Sequence, residues 1–169
     1  MVALNDLNDL LLEQLRDLYN AEAQLTKALP KMAKAAKNPE LKEAFQKHLA
    51  QTEEHVNRLE QVFESLGEKA KGKTCHAMKG LIDEGKEAID EEAMDSVRDA
   101  ALIAAAQRVE HYEIAGYGTV RTYAERLGHK EAAELLQQTL DEEGETDKLL
   151  TQIAETCVNE LAEAGAEEE

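Results

Sequence analysis

The stretch EKAKGKTCHAMKGLIDEGKEAIDEE, Glu68 to Glu92, decides how this chain is wound. Its first six residues, Glu68–Lys73, are polar and read as a linker. Residues 75–92 carry Met78, Leu81, Ile82 and Ile89 at helical spacing and predict a short helix, weakened by Gly80 and Gly85. Six extended residues reach about 20 Å, and a 16-residue helix adds about 24 Å. The sum is close to the length of a 30-residue helix. This connection can therefore run the whole length of a helical bundle, which a simple up-down-up-down arrangement would not need.

On both sides of it the chain reads as long helices. Ala, Leu, Glu, Lys and Gln dominate and β-branched residues are sparse, which favours helix throughout. A first helix is predicted over Leu4–Lys37, with Leu7, Leu11, Leu18, Leu25, Leu29 and Met32 forming a core-facing stripe. Pro30 falls inside that pattern and is expected to kink the helix or break it briefly. Lys37-Asn38-Pro39-Glu40 is a restart signal: Asn38 suits the N-cap, Pro39 the first helical position and Glu40 the positive helix end. The second helix runs over Glu40–Leu66 through Leu41, Phe45, Leu49, Leu59, Val62 and Phe63, and Gly67 ends it. A third covers Ala93–Leu127, with Val97, Ile103, Ile114, Tyr117 and Val120 as apolar positions, and stops at Gly128. A fourth covers Lys130–Leu161. The short turns near 38 and 128 make two antiparallel hairpins. The expected fold is all-α, a four-helix bundle with a long crossover, containing a short helix, between helices two and three. Residues 1–163 are assigned to the bundle and residues 164–169 to an acidic C-terminal tail.

Composition narrows what such a bundle can do. The 169 residues include 36 acids and 19 lysines and arginines, a net charge of −17. That disfavours nucleic acid and anionic membrane as partners. No 18-residue apolar run suits a membrane span, and Met1–Leu12 lacks the basic residues of a signal peptide. Two cysteines far apart, Cys75 and Cys157, make no disulfide framework, and a cytoplasmic location is expected. Phosphate-binding, dinucleotide and serine-hydrolase motifs are absent.

The informative residues are polar ones that interrupt apolar stripes. Glu22 lies between Leu18 and Leu25, and His48, Thr52 and His55 lie between Phe45 and Leu59. Gln107 and Glu110 lie between Ile103 and Ile114, with Glu113 able to reach the same seam. Glu143 and Asp147 share a row with Leu136, Leu140 and Leu150. Glu22 is 16 residues before Asn38 and His55 is 17 after it, while Glu113 and Glu143 lie 15 on either side of Gly128. At about 1.5 Å per residue each is roughly 23–25 Å from its hairpin tip, which is mid-bundle from either end. Glu22, His55, Glu110 or Glu113, and Glu143 should therefore converge on one layer. Several carboxylates in an apolar interior are costly, and a cation relieves that cost. Carboxylates with imidazole suit iron, manganese or zinc. His48 and Gln107 read instead as core hydrogen-bonding residues, and Tyr19, Tyr112 and Tyr117 as core residues or donors to a carboxylate.

One Glu from each of two helices, with Glu-x-x-His from each of the other two, is the di-metal pattern of ferritin-like bundles. This chain matches it in part. Thr52-Glu53-Glu54-His55 has Thr in place of the ligand Glu, and Glu143-Gly144-Glu145-Thr146 has Thr in place of His, with Asp147 the credible substitute. The chain resembles the YciE/YciF-type ferritin-like proteins of bacteria over nearly its whole length. The stretches that carry the resemblance are Leu18–Glu22, Gln24–Lys31, Ala77–Ile82, Arg98–Ala115 and Thr139–Glu143, with Thr146-Asp147. The resemblance implies a rubrerythrin-related bundle, commonly a homodimer, linked to stress responses.

These observations define a candidate metal set of Glu22, His55, Glu110, Glu113, Glu143 and Asp147, with iron or manganese, in one or two ions, as the cofactor. Such a centre supports ferroxidase-, peroxidase- or catalase-type chemistry. The alternative is a non-enzymatic stress or interaction bundle with a degenerate, metal-free core, its buried acids and histidines paired with each other and with Arg108, Arg121 or Lys148. Iron storage, which needs a shell of many subunits, has no support in the sequence.

Overall fold

The computed structural model describes residues 4–165. Five long helices follow in order: α1 (Leu7–Ala35), α2 (Pro39–Ser65), α3 (His76–Asp90), α4 (Asp95–Arg126) and α5 (Lys130–Ile153). A π-helical segment, Ala154–Val158, then leads into α6 (Asn159–Ala164). Of the tail expected at 164–169, residues 166–169 lie outside the described residues.

The signals around Asn38 act as their chemistry dictates. Asn38 Oδ1 accepts from the backbone N–H groups of Glu40 and Leu41 at 2.9 and 3.0 Å, and Pro39 is the first residue of α2. Gly67 and Gly128 take left-handed backbone, φ +72° and +82°, and end α2 and α4. α1 runs on through Pro30, so of the expected kink or brief break the break does not occur. It is exposed, whereas Leu29, Met32 and Ala33 beside it are buried. Burying each large apolar side chain is worth about 1.5–3 kcal/mol, enough together to offset a proline's cost of about 3 kcal/mol. The fourth core helix is not one α-helix to Leu161: its ladder widens at Ala154–Val158. Val97, assigned to the apolar face of α4, is 41 % exposed.

The crossover runs as its length requires. Lys73 N–H donates to Arg16 O at 3.0 Å, Cys75 N–H to Asn20 Oδ1 at 2.8 Å, and Gln24 Nε2 to Cys75 O at 3.1 Å, so the linker climbs along α1. α3 continues in the groove of α1 and α4. At the far end Asp99, in the first turns of α4, accepts from the backbone N–H of Lys37 and Asn38 at 2.9 and 2.7 Å. The start of α4 thus lies beside the start of α2, and the two run in the same direction. Two apolar clusters fill the ends of the bundle. One is built on Leu25, Leu29, Phe45, Leu102, Ile103 and Leu150, the other on Leu11, Leu15, Phe63, Tyr117, Val120 and Leu136. The layer between them is polar.

Candidate metal centre

Four helices deliver that layer. Glu22 comes from α1, His48 and His55 from α2, Glu110 and Glu113 from α4 and Glu143 from α5, and none is more than 2 % exposed. The three-residue spacing from Glu110 to Glu113 keeps both on the α5-facing seam. Ligand-capable atoms of His48, Glu110, Glu113 and Glu143 lie within 4.8 Å of one another, as do those of Glu22, His55 and Glu143. Glu143 belongs to both groups.

Contacts inside the layer are ionic and poorly directed. His48 Nε2 is 3.2 Å from Glu110 Oε1 and 3.7 Å from Glu143 Oε2. His55 Nδ1 is 3.0 Å from Glu143 Oε1 and 3.4 Å from Glu22 Oε1. Among the described residues, neither of these nitrogens makes a hydrogen bond, nor does either oxygen of Glu113 or Glu143, nor Oε2 of Glu22 and Glu110. Buried polar groups are ordinarily paired, so this many orphans in one place make the layer a candidate site.

Outside the layer the same histidines are firmly held. His55 Nε2 hydrogen-bonds Glu142 Oε2 at 2.8 Å, and Arg58 grips Glu142 through both terminal nitrogens at 2.9 and 3.3 Å while donating to Thr139 at 2.7 Å. Thr146 Oγ1 lies 3.3 Å from His48 Nδ1, and its own hydroxyl proton goes to Glu142 O at 3.1 Å. The Thr146 oxygen is therefore an acceptor toward His48, which places the proton on Nδ1 and leaves the Nε2 lone pair facing Glu110 and Glu143. Each histidine thus has its outer nitrogen tied as a donor and its inner nitrogen aimed at carboxylates, the arrangement that orients metal-binding imidazoles. Tyr117 adds a hydroxyl donated to Glu22 Oε1.

Burial sets the protonation. It pushes the Glu22 and Glu113 carboxyls up, Glu113 further because Glu143, Glu22 and Glu110 crowd it. Burial raises Glu110 to about 8 and Glu143 to about 6, the latter restrained by His55. Burial lowers His48, keeping it neutral. It also opposes charge on His55, but the Glu143 and Glu22 carboxylates outweigh it and hold the imidazole at about 10.

Of the residues singled out in the sequence, Glu22, His55, Glu110, Glu113 and Glu143 come together. Asp147 does not: it accepts from Gln107 Nε2 at 3.1 Å and faces His111 at 3.3 Å. Asp147 follows Thr146 by one residue, which turns it about 100° around α5. Arg108 and Arg121 pair with Glu84 and Glu125 on the surface and do not neutralise the layer. Sequence reasoning left His48, whose Nε2 faces the layer, outside the candidate set, and missed Glu142 with Arg58 as the support of His55. The set is four carboxylates and two imidazoles, with both histidines on α2, seven residues apart, instead of one on each of two helices.

A buried layer of acids and imidazoles inside a crossover-connected helical bundle defines the class. A family model, a domain of unknown function (DUF892), matches residues 6–163, and the chain belongs to that family. It is 51 % identical over 158 residues to Protein YciF of Escherichia coli strain K12, covering 93 % of this chain and 95 % of that protein. The crystal structure of the E. coli stress protein YciF superimposes with a TM-score of 0.89 at 50 % identity, over 92 % of this chain and 99 % of that one. YcfI from Rhodopseudomonas palustris gives a TM-score of 0.87 at 47 % identity, over 89 % of this chain and 96 % of that one. A Xanthomonas campestris protein at 21 % identity shares the fold, with a TM-score of 0.72 over 94 % and 97 % of the chains.

Proposed function

We propose that this YciF-like stress-family protein binds two divalent metal ions, iron or manganese, in its core, in the manner of ferritin-like di-metal bundles. The observation that carries the reading is the pair of inward ring nitrogens, His48 Nε2 and His55 Nδ1, set against carboxylates with no hydrogen-bond partners. Four carboxylates match the charge of two divalent cations. His48, Glu110 and Glu113 would hold one ion, Glu22 and His55 the other, and Glu143 would be shared. A carboxylate-rich set with imidazole suits these metals. When bound, such ions supply one-electron chemistry toward oxygen or peroxide. The chain's own part is to fix the donors, exclude water between two apolar clusters and hold a proton on Tyr117 beside Glu22. Free thiols at Cys75 and Cys157 accord with a reducing, cytoplasmic setting.

Elemental analysis of the purified protein tests this directly. About two equivalents of iron or manganese per chain are expected, and Glu143→Ala should lose both because the shared carboxylate is gone. Metal-free protein that also fails to take up added Fe(II) or Mn(II) overturns the reading.

The protonation pattern gives a pH signature with opposite signs. Glu110 sits at about 8 and His55 at about 10, above their ordinary values of 4.5 and 6.5. The folded metal-free chain therefore binds more protons than the unfolded one near neutrality, and its stability falls as the pH rises from 7 to 9. His48 acts the other way only below its ordinary 6.5. Metal must displace the same protons, so Mn(II) affinity should rise over that interval. Denaturation and calorimetric titration between pH 7 and 9 measure both. Parallel rather than opposed trends would count against the assignment.

A further inference from the structure

Away from the core, α1 and α3 leave a groove of about 720 Å³. Its floor is aliphatic, formed by Leu25 and Met32 of α1, Leu81, Ile82 and Ile89 of α3, and Val109 of α4. Its edges are cationic: Lys27, Lys31, Lys34 and Lys37 along one side, Lys86 and Arg98 on the other, with Asp90 the single acid among the lining residues. In a chain carrying 36 acids against 19 basic residues this is an inversion of the surface charge. Yet none of the five lysines forms an ion pair among the described residues, whereas Lys73, Lys79 and Arg121 each find an acid. Arg98 is paired with Asp95 at 3.2 Å, but a border of five unpaired lysines around an apolar floor is complementary to something acidic and apolar.

The distribution of charge selects the occupant. Lys27, Lys31 and Lys34 rise about 10 Å along α1 at steps of four and three, and Lys37 follows in the turn after it. A single-headed anionic amphiphile would satisfy one end of that row and leave the rest unmatched. A nucleic-acid strand would meet a net charge of −17 and, among the lining residues, no aromatic ring on which to stack a base. An acidic helix matches both features, because acids flanking an apolar i, i+3, i+4, i+7 stripe repeat with the lysine spacing. We propose that the α1–α3 groove docks an acidic amphipathic helix of a partner protein, its apolar stripe on Leu25, Ile82 and Ile89 and its carboxylates on the two basic edges. This surface is independent of the metal centre.

The test uses the full-length protein and a fluorescein-labelled 16-residue amphipathic peptide with leucine on one face and glutamate on both flanks. Binding should be saturable, weaken at least tenfold between 50 and 300 mM salt, and weaken at least tenfold again in Lys31→Glu/Lys34→Glu. Both lysines are exposed, so that variant should keep its melting temperature and metal content. A peptide with lysine in place of glutamate should not bind. Equal binding of the two peptides, or undiminished binding by the charge-reversed variant, overturns the proposal. So does dodecanoate filling the groove of a protein that ignores the acidic peptide, or a self-association in sedimentation that Lys31→Glu/Lys34→Glu abolishes. The former assigns the groove to a lipid-like anion and the latter to a second copy of the chain.

Discussion

Glu113→Leu should make the metal-free protein more stable and the metal-loaded protein less so, reversing the order of the two proteins on a melting curve. Glu113 is wholly buried and neither carboxylate oxygen has a hydrogen-bond partner among the described residues. Burial and the nearby Glu143, Glu22 and Glu110 push its carboxyl well above the ordinary range. Replacing an unsatisfied buried polar group with an apolar one of similar size should gain about 1–3 kcal/mol. With Mn(II) at a hundredfold its dissociation constant the parent gains about 2.7 kcal/mol. At this chain length that is roughly 5–10 °C. The variant, missing one donor of the His48, Glu110, Glu113 and Glu143 group, should gain less than half as much. Thermal melts of stripped and Mn(II)-loaded protein read both effects. A parent that does not shift with metal, or a variant that is the weaker protein without it, contradicts the assignment of this layer.

Asp99→Ala should be strongly destabilising although it leaves the proposed metal donors untouched. The Asp99 carboxylate is 3 % exposed and accepts two backbone N–H groups, from Lys37 and Asn38. It holds the α1–α2 turn against α4. Hydrogen bonds to a charged acceptor are worth about 1.5–3 kcal/mol each, and removing the acceptor strands both donors. A loss of roughly 3–5 kcal/mol is expected in urea unfolding at 25 °C. Asp99→Asn should recover part of it, since its single carbonyl oxygen can accept one of the two bonds. Metal stoichiometry of the surviving folded protein should be unchanged. A loss below about 0.5 kcal/mol, within the range of ordinary surface changes, would show that the turn needs no clasp.

Much of this was legible in the sequence, and for identifiable reasons. The crossover follows from chain reach, the α2 start from Asn38-Pro39, and the convergence of Glu22, His55, Glu110, Glu113 and Glu143 from counting residues to each turn, because helical rise is nearly constant. What failed depends on side-chain reach and on packing. His48 lies seven residues from His55, about 10 Å along the axis, so rise alone puts it off the layer. Its imidazole and the long glutamate side chains close that gap. Glu142 neighbours the buried Glu143 and reads as a solvated acid. Its partner Arg58 is 8 % exposed on a helix whose charged residues mostly face water, and nothing local marks it as inward-facing. Asp147 misled because a substitute one position away in sequence is a quarter-turn away in space. The π-helical segment at Ala154–Val158 and the unbroken course through Pro30 are decided by tertiary packing, which no local pattern encodes.

The split of the donors between the two hairpins has a consequence for how the molecule assembles. The α1–α2 hairpin holds Glu22 and both imidazoles; the α4–α5 hairpin holds Glu110, Glu113 and Glu143. Each hairpin closes through sequence-local contacts and can form early, whereas joining them means docking α4–α5 across the α3 strap, a step of larger loop-closure entropy. Neither half alone offers a complete coordination sphere. The acid-rich half meets the imidazole-bearing half only in the final association, so a cation held there, as proposed, would act as a latch on the finished topology and report, by its retention, that the two halves have met in register.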